Sequence, residues 1–258
     1  MPHLPPEKVF ETLKKSILVD GFDMVLDVEK SRGARLYDSK NKKTYIDFFS
    51  FFASNPVGFN HPRLYTKDFD ERLLKFARVK VSNSDIYTTA YADFASSFHL
   101  NIAPMFERFF FIDGGALGVE NAIKAAQDWK VQKNLAAGRG EKGTQVLHFR
   151  EAFHGRTGYT LSLTNTLPDK ILHFPKFDWP RVVNPKLTFP LTAESLEQTK
   201  RLELQSVEEI ENAFRTRKDE ICAIIIETIQ GEGGDNMFRK EFLQKLRELA
   251  DTHDAMLI

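Results

Sequence analysis

The sequence has 258 residues, with 36 lysines and arginines against 36 aspartates and glutamates, and 42% of its residues are hydrophobic. This length fits one large domain or two small ones, and the hydrophobic share excludes a chain that is disordered throughout. A formal net charge of zero disfavours a nucleic acid or a membrane surface as partner, because no excess of positive charge attracts phosphate groups. A small molecule or another protein remains.

The single cysteine, Cys222, lies inside the apolar run 221–226. One cysteine cannot form an intrachain disulfide, and a thiol in such a run usually behaves as a small buried hydrophobe. The N-terminus has no apolar signal segment, and no stretch approaches the roughly 18 apolar residues that a membrane-spanning helix needs. We therefore expect a cytoplasmic protein without a disulfide.

The first part of the chain predicts a helix followed by a small β unit. Apolar residues at helical spacing over 5–18 begin just after two prolines. Three apolar runs predict strands at 24–28, 34–37 and 44–48, of which the last two form a hairpin. Gly58 to Pro62 predicts a turn before a helical pattern over 63–78. We place a boundary near residue 60, between an N-terminal segment 1–60 and a large domain 61–258.

Beyond residue 100, strand and helix patterns alternate. Buried strands are predicted at 108–112, 145–149, 221–226 and 255–258. Helices are predicted at 116–134, 158–163, 192–216 and 238–252. A proline-rich irregular connection covers 165–190. The alternation predicts an α/β fold with a mainly parallel sheet and helices on both faces.

Phenylalanine is unusually frequent, with 23 residues that include two clusters, 48–52 and 109–111. Apolar area drives both folding and permanent association, so such clusters usually form buried strands or subunit contacts. We expect core first and interface second.

A turn rich in small residues follows the predicted strand 108–112. Gly114 and Gly115 precede the predicted helix, and free N–H groups at a helix N-terminus attract phosphate groups. The same glycines are also compatible with a simple tight turn between strand and helix. Both interpretations stay open on these residues alone.

Two other patterns are excluded as ligand sites. Residues 138–144 resemble a phosphate-binding loop, but they lack the terminal Gly-Lys-Ser/Thr order and follow a helix. The histidines and glutamate within 148–154 do not have the spacing of a zinc site. We expect no metal.

Two further segments follow predicted strands at the edge where open α/β sheets bind ligands. Phe153, His154, Gly155 and Arg156 follow the strand 145–149. The Phe153 ring could stack on a planar cofactor, and Arg156 could hold a carboxylate, although a surface ion pair is the commoner role of an arginine. Glu227 ends the strand 221–226, so three segments converge on one edge.

Together these segments resemble the ordered motifs of class III, ω-type aminotransferases, which are pyridoxal 5'-phosphate enzymes of fold type I. The motifs are Gly114–Ala116 with Glu120–Ala122, Phe153–Arg156 and Glu227–Gly234. The resemblance implies the fold type I sheet and part of a small α+β domain. Within the class, four segments resemble members that act on the ε-amino group of L-lysine: 18–21, 51–62, 82–85 and 174–180.

The resemblance also implies roles for individual residues. Gly115 and Ala116 would bind the cofactor phosphate, Phe153 would stack on the pyridine ring, and His154 would lie beside it. Arg156 would bind the α-carboxylate of the substrate, and Glu227 would be the acid that moves aside for 2-oxoglutarate. The implied reaction converts L-lysine and 2-oxoglutarate to 2-aminoadipate 6-semialdehyde and L-glutamate, in a homodimer with active sites at the subunit interface.

The resemblance further implies an aspartate that pairs with the pyridine nitrogen and a lysine that binds the cofactor covalently, both beyond Ile258. The sequence stops inside the apolar run 255–258, where a natural domain seldom ends. We therefore expect an incomplete, C-terminally truncated chain that is inactive alone. Two alternatives stay open: a class III enzyme for ornithine, 4-aminobutyrate or another ω-amine, and a non-catalytic interaction protein that retains half of the fold.

Overall fold

The computed structural model describes residues 4–79 and 84–258. The chain divides into two compact units, Met1–Pro104 and Met105–Ile258. The boundary predicted near residue 60 rests on turn residues rather than on compactness, and it stays a prediction. Two residues of the segment 82–85 fall outside the described residues.

The first unit contains a small antiparallel sheet. Its strands are β1 (Leu26–Arg32), β2 (Arg35–Asp38) and β3 (Lys43–Ile46), and its helices are α1 (Val9–Leu13), α2 (Ser50–Ala53), α3 (Lys67–Ala77) and α4 (Thr89–Asn101). The sheet order is β1-β2-β3, with both pairs antiparallel. This confirms the predicted hairpin. Helix α1 ends earlier than predicted, and α4 was not predicted.

The carboxylate of Asp38 organises the turns at one end of this sheet. Asp38 is fully buried, and its Oδ1 accepts hydrogen bonds from the backbone N–H groups of Val25 and Lys40, each at 3.0 Å. Its Oδ2 accepts one from Asn41 Nδ2 at 2.7 Å. Burial raises the pKa of Asp38, but these hydrogen bonds outweigh it and hold the pKa below its ordinary value.

The phenylalanine run 48–52 does not form a strand or a core. Residues 50–53 all have positive φ, from 48° to 60°, and form a single left-handed turn that follows Asp47. Phe48 is 91% exposed and Phe52 is 88% exposed. The expectation of core is therefore wrong for these two side chains, because apolar character alone does not supply the neighbours that would cover them.

The second unit is built around a parallel sheet. Its strands are β4 (Gln145–Phe149), β5 (Arg181–Val182), β6 (Ile221–Ile224), β7 (Ile229–Gln230), β8 (Asn236–Met237) and β9 (Met256–Leu257). Its helices are α5 (Gly115–Ala136), α6 (Thr160–Leu163), α7 (Ala193–Thr216) and α8 (Lys240–Thr252). The main sheet has the order β5-β4-β6-β9 and is parallel throughout, while β7 and β8 form an antiparallel pair.

Both faces of the parallel sheet are covered by apolar clusters. On one face Phe149 and Ile224 pack with Phe242 of α8 and with α7. On the other face Val146 and Ala223 pack with Ile123 of α5. Alternate side chains of a strand point to opposite faces, which explains why β4 and β6 serve both clusters. The predicted parallel sheet with helices on both faces is confirmed, and so is the burial of Cys222.

The strand predicted at 108–112 is absent. These residues have no regular secondary structure, and Phe110 is 71% exposed. A strand exists only where a neighbour exchanges hydrogen bonds with it, and no described strand pairs with this segment. Among the described helices, none is both long and apolar enough to cross a membrane.

Candidate functional site

The N-terminus of α5 carries the first candidate segment. Gly114 precedes the helix with φ 93°, a conformation that L side chains rarely adopt. The first backbone hydrogen bond of the helix runs from Gly118 N to Gly114 O at 3.0 Å. The N–H groups of Gly115 and Ala116 therefore have no acceptor inside the helix. A 22-residue helix also places the positive end of its dipole at this point.

Gly155 brings the second segment against the start of α5. Its φ is 116°, and a Cβ at this position would lie 2.5 Å from the Ala116 Cβ and 2.9 Å from Thr160 Oγ1. Only glycine fits this contact without a shift of the backbone. The loop 153–157 and the helix start, which are far apart in the sequence, therefore share one corner of the unit.

His154 is held inside the same corner. It is 7% exposed, and its backbone N–H donates to Thr164 Oγ1 at 3.0 Å. The Thr164 hydroxyl in turn donates to Gly155 O at 2.6 Å. Burial lowers the pKa of His154 to about 4, so the imidazole is neutral at physiological pH. Its Nε2 is buried and has no hydrogen-bond partner among the described residues.

Glu227 meets the second segment directly. Its Oε1 accepts a hydrogen bond from the backbone N–H of Phe153 at 2.8 Å, and its Oε2 accepts a longer one from Gly231 N at 3.4 Å. Burial raises the pKa of Glu227, and the nearby charge of Glu232 adds to the effect. The carboxyl group therefore holds a proton more readily than an ordinary glutamate, and it also fixes the position of the Phe153 main chain.

The Phe153 ring lies beside a cation. Lys170 Nζ lies 5.9 Å from the ring centre and forms an ion pair of 2.7 Å with Glu232. Thr166 Oγ1 donates to the same oxygen of Glu232 at 2.9 Å. The glycine-rich segment after Glu227 is therefore tied to the connection that follows α6.

A second tie joins the loop to α5. The Thr157 hydroxyl donates to Glu120 Oε2, and Glu120 Oε1 lies 3.4 Å from Lys124 Nζ. The hydrogen bond from Thr157 is the main reason why the pKa of Glu120 is below its ordinary value. The carboxylate stays charged and keeps the loop against the helix. The motif Glu120–Ala122 drew attention to this helix, but the sequence did not indicate Thr157.

Arg156 differs from the other candidates because its side chain is exposed. Within the described residues its guanidinium makes no hydrogen bond or ion pair, so the alternative of a surface ion pair receives no support. An exposed arginine beside a buried histidine is free to receive a carboxylate from solution.

A network of buried polar side chains supports this corner, and the sequence did not predict it. Gln230 is fully buried; its Nε2 donates to Arg150 O at 3.0 Å. Its Oε1 accepts from Asn236 Nδ2 at 2.9 Å and from Asn184 Nδ2 at 2.7 Å. Asn236 also donates to Glu151 Oε2 at 2.9 Å. Amides far apart in the sequence give no local pattern, so only the fold reveals their pairing.

Comparison with known proteins decides the family. Residues 19–258 match the family "Aminotransferase class-III". The chain belongs to the class-III aminotransferase family. This agrees with the resemblance that the three motifs carry.

Individual relatives refine the placement. The chain is 46% identical to the L-lysine-epsilon aminotransferase of Mycobacterium tuberculosis over 256 residues. This alignment covers 98% of this chain and 56% of that protein. It is 28% identical over 265 residues to the 4-aminobutyrate aminotransferase of Schizosaccharomyces pombe, covering 96% of this chain and 56% of that protein. The chain therefore spans little more than half the length of these relatives.

A solved structure agrees with the described fold. The lysine aminotransferase from M. tuberculosis superimposes with a TM-score of 0.92 at 46% sequence identity, covering 98% of this chain and 58% of that one. The predicted fold class, that of the pyridoxal-phosphate transaminases, is confirmed.

Class-III aminotransferases are pyridoxal-phosphate enzymes, and the residues described here fit that cofactor. The start of α5 offers unpaired N–H groups to a phosphate, as helix N-termini do. Gly155 packs so closely on Ala116 that a side chain would block the corner. The unpartnered Nε2 of His154 is a buried polar group that a ligand could satisfy.

Proposed function

We propose that the complete gene product transfers the ε-amino group of L-lysine to 2-oxoglutarate, giving 2-aminoadipate 6-semialdehyde and L-glutamate. The observation that carries the choice of lysine is the difference in identity, 46% to a lysine-epsilon aminotransferase against 28% to a 4-aminobutyrate aminotransferase, over nearly the same part of the chain. The chemistry of the corner at α5 supports the reaction class.

Pyridoxal phosphate would be held by the first two segments. Gly115 and Ala116 would donate backbone N–H groups to its phosphate, since these groups have no acceptor inside α5. The Phe153 ring would contact the pyridine ring from a position fixed by Glu227, and neutral His154 would lie beside it. When bound, the cofactor supplies an aldehyde that accepts an amino group and a ring that withdraws electrons.

Arg156 and Glu227 would act on the substrates. The free guanidinium of Arg156 binds the α-carboxylate of lysine and then that of 2-oxoglutarate, because both present the same planar group. Glu227 sits at the same edge of the sheet with its pKa raised by burial. The two substrates share an α-carboxylate but differ in charge at the opposite end. The carboxyl group of Glu227 changes position between them and moves aside for 2-oxoglutarate.

The cell compartment and assembly belong to the same proposal. A cytoplasmic enzyme agrees with the buried free thiol of Cys222, because cysteines in the reducing cytoplasm usually stay free whereas oxidising compartments favour disulfides. A homodimer agrees with the exposed phenylalanines 48 and 52, since exposed apolar area is typical of subunit contacts.

A screen of amino donors tests the proposed substrate. The complete gene product is assayed with 2-oxoglutarate and with L-lysine, L-ornithine or 4-aminobutyrate as donor. We expect kcat/KM for lysine to exceed that of either other donor at least tenfold. A higher value for ornithine or 4-aminobutyrate would replace lysine as the substrate, and no transamination with any donor would favour the non-catalytic alternative.

The substitution Arg156→Gln tests the carboxylate site. We expect KM to rise for both lysine and 2-oxoglutarate by about tenfold or more, because a charge-assisted contact to each carboxylate is lost. Arg201→Gln is the matched control, since its side chain is 77% exposed and, among the residues that the structure describes, pairs with Glu197 along α7. Unchanged kinetics for both substrates in Arg156→Gln would mean that this arginine does not bind them.

A further inference from the structure

A cavity of the parallel-sheet unit, separate from the corner at α5, is lined by more positive than negative side chains. It has a volume of about 580 Å³ and lies along the edge strand β5. Pockets of this size accommodate small organic molecules. Four cationic side chains line it against two carboxylates: Arg150, Lys176, Arg181, Arg217, Asp178 and Glu209. None of the candidate site residues contributes to this lining, so the inference does not rest on the proposed function.

Both carboxylates of the cavity are already engaged. Glu209 Oε2 accepts the backbone N–H of Val183 at 2.7 Å, and its Oε1 accepts from Gln205 Nε2 at 2.9 Å. Asp178 Oδ2 lies 3.4 Å from Arg217. Neither carboxylate pairs with Arg150 or Arg181.

Arg181 has only neutral partners. Its Nε donates to His148 Nε2 at 3.0 Å, and its Nη2 lies 3.4 Å from Ser162 O. His148 is buried, and burial lowers its pKa to about 3, so it is neutral and adds no second positive charge beside Arg181. Arg181 is exposed to solvent, and its guanidinium has no counter-ion among the described residues, so it can receive an anion.

Arg150 adds a second uncompensated positive charge to the lining of the same cavity. It follows β4, and its backbone N–H donates to Val182 O at 3.0 Å. Its guanidinium makes no hydrogen bond or ion pair within the part of the chain described. Desolvation lowers the pKa of Arg181, and the nearby charge of Arg150 lowers it further. Two like charges that face one cavity repel each other, and an anion between them would turn this repulsion into attraction.

Two aromatic side chains also line the cavity. Phe177 and Trp179 stack with ring centres 5.0 Å apart, and both line the cavity. A pocket lined by both guanidinium groups and flat aromatic rings suits a molecule that has a charged head and an organic body.

We propose that this cavity binds a small organic anion through a carboxylate or phosphate group, with Arg150 and Arg181 as the donors. Two guanidinium groups offer several N–H donors in planar arrays, which match the oxygen geometry of both groups. Phe177 contacts the body of the ligand.

Calorimetric titration of the complete, cofactor-loaded gene product tests this proposal. The protein carries Arg156→Gln, so that the proposed substrate site does not compete for the probe. Citrate and inorganic phosphate are the probes, and sodium chloride keeps the ionic strength constant. We expect at least one probe to bind; binding of citrate alone assigns a carboxylate ligand, and binding of phosphate alone assigns a phosphate ligand.

Variants show whether the binding belongs to the cavity. Adding Arg150→Gln is expected to weaken binding at least tenfold, which corresponds to about 1.4 kcal/mol. Arg150 is exposed, so its replacement leaves the fold intact. Adding Arg201→Gln instead removes the same charge outside the cavity and is expected to leave the Kd unchanged. The proposal is overturned if neither probe binds above the chloride control, or if Arg150→Gln and Arg201→Gln have equal effects.

Discussion

Gly155 packs the loop 153–157 against α5, and Gly155→Ala adds a single carbon atom at this contact. The added Cβ would lie 2.5 Å from the Ala116 Cβ, 2.9 Å from Thr160 Oγ1 and 3.0 Å from the Ala116 Cα. Carbon atoms that are not bonded to each other prefer separations of about 3.5 to 4.0 Å. The loop must therefore retreat from the helix by about an ångström or more.

Two contributions set the expected size of the effect. Overpacking a closed contact costs about 1 to 3 kcal/mol, and an unfavourable backbone conformation costs about 1 to 3 kcal/mol more. The φ of 116° at Gly155 belongs to this second class. We expect Gly155→Ala to lower the free energy of unfolding by about 2 to 6 kcal/mol. Because the retreat opens the corner beside Ala116, we also expect weaker binding of pyridoxal phosphate.

Chemical denaturation of the complete gene product measures the stability, and titration of the apoprotein with the cofactor measures the affinity. Gly158→Ala is the matched control, because Gly158 directly follows the loop 153–157 and a Cβ there meets no atom within 4 Å. We expect the control to change the free energy of unfolding by no more than about 0.5 kcal/mol. Equal effects of the two substitutions on stability and on affinity would refute the role assigned to the Gly155 contact.

Three further substitutions test the electrostatics and the core. Burial lowers the pKa of His154 from 6.5 to about 4. Between these two pH values the unfolded chain therefore binds more protons than the folded chain. Stability should therefore fall as the pH drops from about 6.5 towards 4, by up to about 1.4 kcal/mol per pH unit; His154→Gln should reduce this slope in pH-dependent denaturation, and an unchanged slope would contradict the assignment. Glu227 has its pKa raised from 4.5, so its contribution to stability is lost as the pH rises through the raised value. Glu227→Gln keeps an acceptor for Phe153 N–H, and its stability relative to the parent should improve as the pH rises above about 4.5; a constant difference would argue against a raised pKa. Phe242→Ala removes a ring that is 2% exposed and should cost about 3 to 5 kcal/mol, whereas Leu204→Ala, at a side chain that is 66% exposed, should stay within about 0.5 kcal/mol.

Local patterns in the sequence were sufficient for most regular elements of the second unit. The short, largely apolar segment 145–149 predicted β4, and the helical period predicted α5, α7 and α8, because each pattern depends only on residues a few positions apart. The same patterns predicted a parallel sheet. Since each motif was predicted to follow a strand, they also predicted that the segments around Gly115, Phe153 and Glu227 would meet at one edge.

Patterns of apolar residues did not determine where apolar side chains would be buried. The segment 108–112 and the run 48–52 are both rich in phenylalanine, yet Phe110, Phe48 and Phe52 are exposed. Burial requires a covering neighbour, and strand formation requires a pairing neighbour. Neither requirement is written in the residues of the segment itself.

The contacts that define the site were decided by the tertiary structure. The sequence suggested Glu227 as an acid near a ligand, but only the fold shows that its Oε1 accepts the N–H of Phe153. Only the fold shows that His154 is buried and therefore neutral, and that a Cβ on Gly155 would collide with Ala116. Hydrogen bonding, burial and steric contact act over a few ångströms in space. They depend on which distant segments the fold brings together, and that information is absent from spacing along the chain.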